Sequence, residues 1–286
     1  GGPSRLPRKS MGFCRPMGFF PHERTGEMMV PQVKGFLETS FLDWPGKLTA
    51  VLFLPGCNFR CPYCHNHPLV MHPESLEAIP LKDILGCLRR LKGWIDGVCV
   101  TGGEPTLNPN LPLLLERIKA EGWAIKLDTN GSFPDRIKGL VERNLVDFFA
   151  MDIKAPLDSR SYNTCAGVPV DLPAIRESIA ILADGVIDYT FRMTVVPTIL
   201  TEEQIYEAAV QLMGTRGLLL QDFNPSSPLN PELMEVKPFG EMELKRMQKK
   251  VDAISGQGGG SYHQLNEPGW DYPPGGGKRS SIGRSL

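Results

Sequence analysis

Three cysteines fall within eight residues, Cys57-Asn58-Phe59-Arg60-Cys61-Pro62-Tyr63-Cys64, in the spacing C-x3-C-x2-C. A loop of that length can fold three thiolates around one inorganic centre. A structural zinc or an ordinary 4Fe-4S cluster takes four protein ligands. Three ligands on a four-iron cluster leave one iron open to a small molecule. His65 and His67 follow directly, so a zinc site of three cysteines and one histidine, in a binding module without catalysis, is the competing reading. The remaining cysteines, Cys14, Cys87, Cys99 and Cys165, stand alone, and the total of seven is odd. A disulfide framework would pair and space them differently, in a smaller secreted chain. Clustered thiols in a chain of 286 residues point to metal.

Further residues capable of chemistry recur downstream, in TGGEPT (101–106), DTNG (128–131), DIKAP (152–156), RMTVVP (192–197) and QDFNP (221–225). Each block, like the cysteine loop, ends a short apolar stretch: 49–54, 97–101, 124–128, 148–153, 188–196 and 217–223. Near-continuous hydrophobicity predicts parallel strands covered on both faces. Between them lie patterns with helical period at 81–91, 111–120, 134–144, 172–183 and 201–213. Strand and helix in repeated alternation imply right-handed crossovers and a parallel sheet. With six such units the α/β fold expected is a partial (β/α)6, TIM-like barrel with outer helices, although alternation alone also describes an open doubly wound sheet. In either fold the site assembles where the carboxyl ends of the strands converge. A zinc staple would account for the cysteines but not for the motifs at the other strand ends.

Outside this regular region the chain changes character. Residues 1–33 hold Gly, Pro and basic residues without a period, and 255–286 contain GQGGGS and PPGGGKRSS. A flexible leader, a single domain over 34–254 and a disordered tail are therefore expected. Hydrophobic residues make up 41% and charged residues 22%, with a net charge of −1, so no strongly basic surface marks a nucleic-acid partner. No apolar run reaches the ~18–20 residues of a membrane helix, and no signal-peptide core follows the first residues, so a cytoplasmic protein without a membrane partner is expected.

The cysteine spacing after the first strand, with Tyr63 just before the last cysteine and TGGEP downstream, resembles the radical S-adenosylmethionine superfamily. The segment GFLETSFLDWPGKLTAVLFLPGCNFRCPYCHN is similar to that of activating proteins of the anaerobic ribonucleoside-triphosphate reductase type, relatives of the pyruvate formate-lyase activases. The likeness runs from about Lys34 to about Lys250. It implies that Cys57, Cys61 and Cys64 hold one 4Fe-4S cluster and that S-adenosylmethionine chelates the open iron. Tyr63 would lie against the adenine, and Gly102, Gly103 and Glu104 would receive the ammonium group. Thr129 and Asn130 would bond the ribose or methionine part, and Asp152, Lys154, Arg192 and Thr194 the carboxylate and ribose. Gln221 is a weaker candidate for the adenine or the partner. Asp152 and Lys154 could equally be a structural ion pair, since buried charges need partners in any parallel core. Asp43, Trp44 and Pro45 would brace the first strand or shape the mouth, and His65, Asn66 and His67 would line it.

The activity so implied is reductive cleavage of the cofactor, with flavodoxin or ferredoxin as electron donor, to generate a glycyl radical on a partner enzyme, anaerobic ribonucleotide reductase. A radical enzyme acting on a small molecule or an RNA base is the alternative, and a second catalytic cysteine, Cys99 or Cys165, would favour it. No cysteine-rich insert follows Cys64, so a single cluster is expected.

Overall fold

A computed structural model describes residues 30–256, so the expected leader and tail fall almost wholly outside the described residues. Seven strands, β1 (Gly35–Ser40), β2 (Thr49–Leu54), β3 (Gly97–Gly102), β4 (Ala124–Thr129), β5 (Phe148–Asp152), β6 (Asp188–Val195) and β7 (Leu218–Asp222), form one sheet in that order. β1 pairs antiparallel with β2, and every later pair is parallel. The helices are α1 (His67–Met71), α2 (Leu81–Arg90), α3 (Leu111–Ala120), α4 (Pro134–Glu142), α5 (Ser159–Ala166), α6 (Leu172–Ala183), α7 (Glu202–Gln211) and α8 (Glu241–Ile254).

The strand order decides between the two architectures that alternation allows. Crossovers of one hand, each laying its strand beside the last, put every connecting helix on the same face of the sheet. A doubly wound sheet needs the order to reverse partway. Here it never reverses, so the six parallel strands make a partial barrel with outer helices. It stays open because β1 and β7 are edges that do not pair.

Register shows how the two faces differ. Leu52 pairs with Val100, Val100 neighbours Leu127 through β3–β4, and Met151 pairs with Phe191. These side chains join the apolar helix stripes, such as Ile84 and Leu88, Leu114 and Ile118, and Ile175 and Leu182, in one buried cluster. The opposite face carries Val51 and Cys99, Cys99 and Lys126, Asp128 and Ala150, and Asp152 and Arg192 as register partners. One face is thus a continuous apolar layer, and the inner face becomes charged toward the carboxyl ends.

Trp44 closes the floor of that inner face. Its ring is buried, lies 5.8 Å from that of Phe148, and reaches within 3.0 Å of where a Cβ on Gly97 would stand. Gly97 and Phe148 begin β3 and β5, so Trp44 braces the amino ends of the strands, at the opposite end from the cysteines. It does not shape the mouth.

Candidate active site

The cysteine loop leaves the carboxyl end of β2. Cys61 is buried, and Cys57 and Cys64 are half-buried. A turn closed by the Cys64 N–H on the Cys61 carbonyl at 3.0 Å brings the last two thiols together, and the Phe59 N–H points at Cys57 Sγ from 3.3 Å. Burial pushes the Cys57 thiol up to about 11 and raises Cys61 and Cys64 as well. Thiols so placed ionise only against a nearby positive centre, which an iron–sulfur core provides.

Helix α5 fixes this loop from the side. The Arg60 N–H donates to the Ala166 carbonyl at 2.7 Å, and Arg60 Nη1 returns to the carbonyls of Cys57 (2.7 Å) and Phe59 (2.8 Å). The next residue, Gly167, ends α5 at φ 70°, and a Cβ there would lie 2.0 Å from the Arg60 carbonyl oxygen. Both the left-handed backbone and the close approach demand glycine. Gly167→Ala is therefore expected to lower stability by about 1–3 kcal/mol. Urea midpoints, together with the iron retained after reconstitution and gel filtration, check this, and an unchanged midpoint would refute it.

Gly102 and Gly103 lie against the same loop. The Gly103 N–H donates to the Leu54 carbonyl at 2.9 Å, the Glu104 N–H to the Gly56 carbonyl at 2.7 Å, and Asn66 Nδ2 to the Gly102 carbonyl at 2.8 Å. A Cβ on Gly103 would fall 1.9 Å from the Gly56 oxygen. Protein backbone on that side already requires glycine, before any ligand is considered. Glu104 is 1% exposed. Burial raises its pKa, while the Thr106 and Thr129 hydroxyls and the Thr106 and Asn130 N–H groups donate to its carboxylate, Thr129 at 2.8 Å and Asn130 at 2.6 Å. The carboxylate is filled by protein donors, so Glu104 ties the strand-end loops of β3 and β4 together. From that anchor Asn130 Nδ2 donates to Asn58 Oδ1 at 2.9 Å, and Asn58 Nδ2 donates to Ser132 Oγ at 2.9 Å. Thr129 and Asn130 are thus joined to the cysteine loop.

Asp152, Lys154 and Arg192 come together in a chain of alternating charge. Lys154 Nζ lies 3.1 Å from Asp152 Oδ2, and Arg192 lies 2.9 Å from Asp152 Oδ1 and 3.4 Å from Asp128 Oδ2. Lys126, itself 1% exposed, pairs with Asp128 and sits 3.6 Å from Cys99 Sγ. Burial opposes ionisation of Asp152, but Arg192 and Lys154 outweigh it and hold the carboxyl down at about 2. Against the cost of burial, Asp152 keeps Lys154 charged, and Asp128 and Asp152 together keep Arg192 charged. The free aspartate value is ~3.9, so this pairing contributes stability above about pH 4 that disappears as pH falls through about 2. Asp152→Asn is expected to flatten that part of the acid-unfolding curve, as followed by circular dichroism; a curve of unchanged slope would refute it.

Sequence reasoning included Asp128 in the DTNG block without giving it a role, and missed Lys126 and the whole of α5. Two charges two residues apart inside an otherwise apolar strand were the available signal. Thr194 is half-buried beside Arg192, and Gln221 is exposed. Tyr63 departs from expectation. It is 6% exposed, packed within the core near Cys61 and Tyr162, and its hydroxyl has no partner among the described residues. At this position an adenine would therefore meet loop backbone more than an open aromatic face. Cys99 and Cys165 are buried thiols whose pKa burial raises. His65 and His67 meet the Asn224 carbonyl and the Ser227 hydroxyl through their Nε2 atoms. Among the described residues no three His, Cys, Asp or Glu side chains are gathered as a single-ion site. The fit to a cluster rests instead on three thiols on one loop, with the Phe59 N–H aimed at Cys57 Sγ and the Lys154 charge favouring the thiolate at all three.

The model of the Radical SAM superfamily matches residues 51–211, more than half of the chain. A Methanocaldococcus jannaschii protein provisionally named a glycyl-radical enzyme activating enzyme is 30% identical over 222 residues, spanning 76% of this chain and 90% of that protein. The 7-carboxy-7-deazaguanine synthase of Neisseria meningitidis is 32% identical over 144 residues, 50% of this chain and 58% of that enzyme. Among solved structures, Streptococcus suis SuiB bound to S-adenosylmethionine superposes with a TM-score of 0.52 at 20% identity, over 73% of this chain and 49% of that one, a likeness of fold.

Proposed function

The chain belongs to the radical S-adenosylmethionine superfamily, and from that premise we propose that it activates a glycyl-radical enzyme. The superfamily's cofactors are a 4Fe-4S cluster and S-adenosylmethionine. Cys57, Cys61 and Cys64 would hold the cluster. Bound there, the two groups supply a radical able to take a hydrogen atom from an unactivated carbon.

The protein's part is to bind, orient and exclude water. The charge chain Lys126–Asp128–Arg192–Asp152–Lys154 sets three cations against two carboxylates. Its excess positive charge, at the carboxyl ends of β5 and β6, suits the carboxylate of S-adenosylmethionine, and the arginine fork suits it geometrically. Gly102, Gly103, Glu104, Thr129 and Asn130 would frame the ammonium and ribose side, with Glu104 holding the loops in place. Thr194 would complete the carboxylate side, and Tyr63 would offer its backbone to the adenine.

The observation that carries the activase reading is the relative matched over 90% of its own length, far beyond the cysteine loop. The partner we propose is an enzyme of the anaerobic ribonucleotide reductase type, with flavodoxin or ferredoxin as electron donor, in the cytoplasm. Among the described residues no helix is long and apolar enough to cross a membrane. The match to a deazaguanine synthase over half of the chain supports a second reading, action on a small molecule.

Anaerobic co-expression with the reductase separates the two. Activation predicts a glycyl radical signal in the partner by electron paramagnetic resonance that depends on this chain and on the cofactor. Cofactor cleavage without that signal, but with turnover of a small heterocycle, would overturn the activase reading.

A further inference from the structure

The connection between β7 and α8 is built as a loop closed at its base. Asp222, the last residue of β7, accepts the N–H groups of Phe223 (2.9 Å), Phe239 (3.3 Å) and Gly240 (2.8 Å). One carboxylate thus holds both ends of residues 223–239 together, the arrangement of a compact Ω-type loop. Buried Phe223 and Leu233 root it in the core, and Pro225, Pro228 and Pro231 stiffen it.

From that base the loop turns back over the cysteines. The Asn230 N–H donates to the carbonyl of Pro62, between Cys61 and Cys64, at 2.8 Å. Nε2 of the exposed His65 meets the Asn224 carbonyl, and Nε2 of His67 lies 3.4 Å from the Ser227 hydroxyl. A carbonyl only accepts, so the His65 nitrogen facing it carries a proton. The cysteine loop follows β2, next to one edge of the sheet, while residues 223–239 follow β7 at the other edge. These contacts bridge the two ends of an open barrel at the end where the cysteines stand.

We propose that residues 223–239 are a closing band over the cysteine loop, seated by His65 and His67 as positioning residues, and that the band shields the cluster from solvent and oxygen. The shielding half rests on the cluster reading above; the seating half does not. An open partial barrel leaves this side of a reactive centre wet, and radical chemistry requires water and oxidants to be kept out.

The test compares the full chain, reconstituted anaerobically, with a His65→Ala/His67→Ala variant and a His65→Gln/His67→Gln variant, whose amides keep a donor at each place. Amide hydrogen exchange over 224–230 is expected to quicken about tenfold in the alanine variant, the factor one net hydrogen bond carries. It should return toward the wild-type rate with glutamine, while exchange in α3 and α6 stays unchanged and certifies the fold. Ser227→Ala, which removes the partner of His67 from the other side, should quicken the same peptides. Bleaching of the visible cluster absorbance in air should be several-fold faster in the His65→Ala/His67→Ala variant and in Ser227→Ala, and near the wild-type rate in the glutamine variant. Unchanged exchange over 224–230 overturns the seating, and faster exchange with unchanged bleaching overturns the shielding. Exchange is also read before reconstitution, so failure of the protein to load iron, which would defeat the cluster reading itself, shows separately in the metal content.

Discussion

Replacing any one of Cys57, Cys61 and Cys64 by alanine is expected to reduce S-adenosylmethionine cleavage to background, a loss beyond about 10³-fold, because groups that act as one unit fail together. The three thiols share one loop, and each feels the charge of another: Cys57 that of Cys61, and Cys61 that of Cys64. Removing one leaves two ligands for a cluster that already has a single open position. His65 and His67 are engaged with residues 224–227, while Cys99 and Cys87 belong to β3 and α2. Cys87→Ala is the control and should keep its iron. Iron and sulfide content with single-turnover cofactor cleavage read the result. Full iron in the Cys61→Ala variant would show that the loop is not the ligand set.

The second large effect is expected at Arg192. Its guanidinium joins Asp152 at 2.9 Å through Nη2 and at 3.1 Å through Nε, and also reaches Asp128 at 3.4 Å. Arg192→Met would leave two half-buried carboxylates short of a partner. Breaking one member of a fully buried ion network costs about 3–5 kcal/mol, and the partial exposure of Asp152 places this loss toward the lower end, still above the worth of a surface pair. Arg192→Lys restores the charge but not the fork, so most of the loss should persist. Urea unfolding gives the stability change, and titration of the cluster's spectroscopic signal with S-adenosylmethionine gives the lost affinity. A stability change under about 1 kcal/mol, the range of a surface pair, would mean that Lys126 and Lys154 alone satisfy the two carboxylates.

These two sites differ in how far they could be read in advance. Cysteine spacing is local, so the candidate ligand loop was visible in eight residues. The six parallel strands were also legible, since runs such as Val51–Leu54 are apolar through and through, and their bounds fall within about two residues of those observed, as strand ends usually do. β1 was not, because Gly35–Ser40 is an edge strand whose middle faces solvent and whose pairing with β2 holds it. Helix α5, Ser159–Ala166, has too few apolar residues for a stripe; its Asp158 cap and Gly167 terminus were the only sequence signals. α8 buries only Met247 and Val251 in fourteen residues. Lys126 and the role of Asp128 were hidden for another reason. Reading a strand as a hydrophobic run passes over charges that only the sheet register places beside Arg192. The glycines of TGGEPT were found for a partial reason, since the backbone of Gly56 already excludes a side chain at Gly103. The band over the cysteines depends on contacts some 160 residues apart, as between His67 and Ser227, which no local pattern carries.

The central claim is that three thiols hold a cluster with one iron open to S-adenosylmethionine. Anaerobic purification, iron and sulfide analysis, and electron paramagnetic resonance after reduction, with and without the cofactor, test it most directly. The account predicts about four irons per chain and a signal that changes when S-adenosylmethionine is added. Zinc in place of iron, or a cluster signal indifferent to the cofactor, would contradict it.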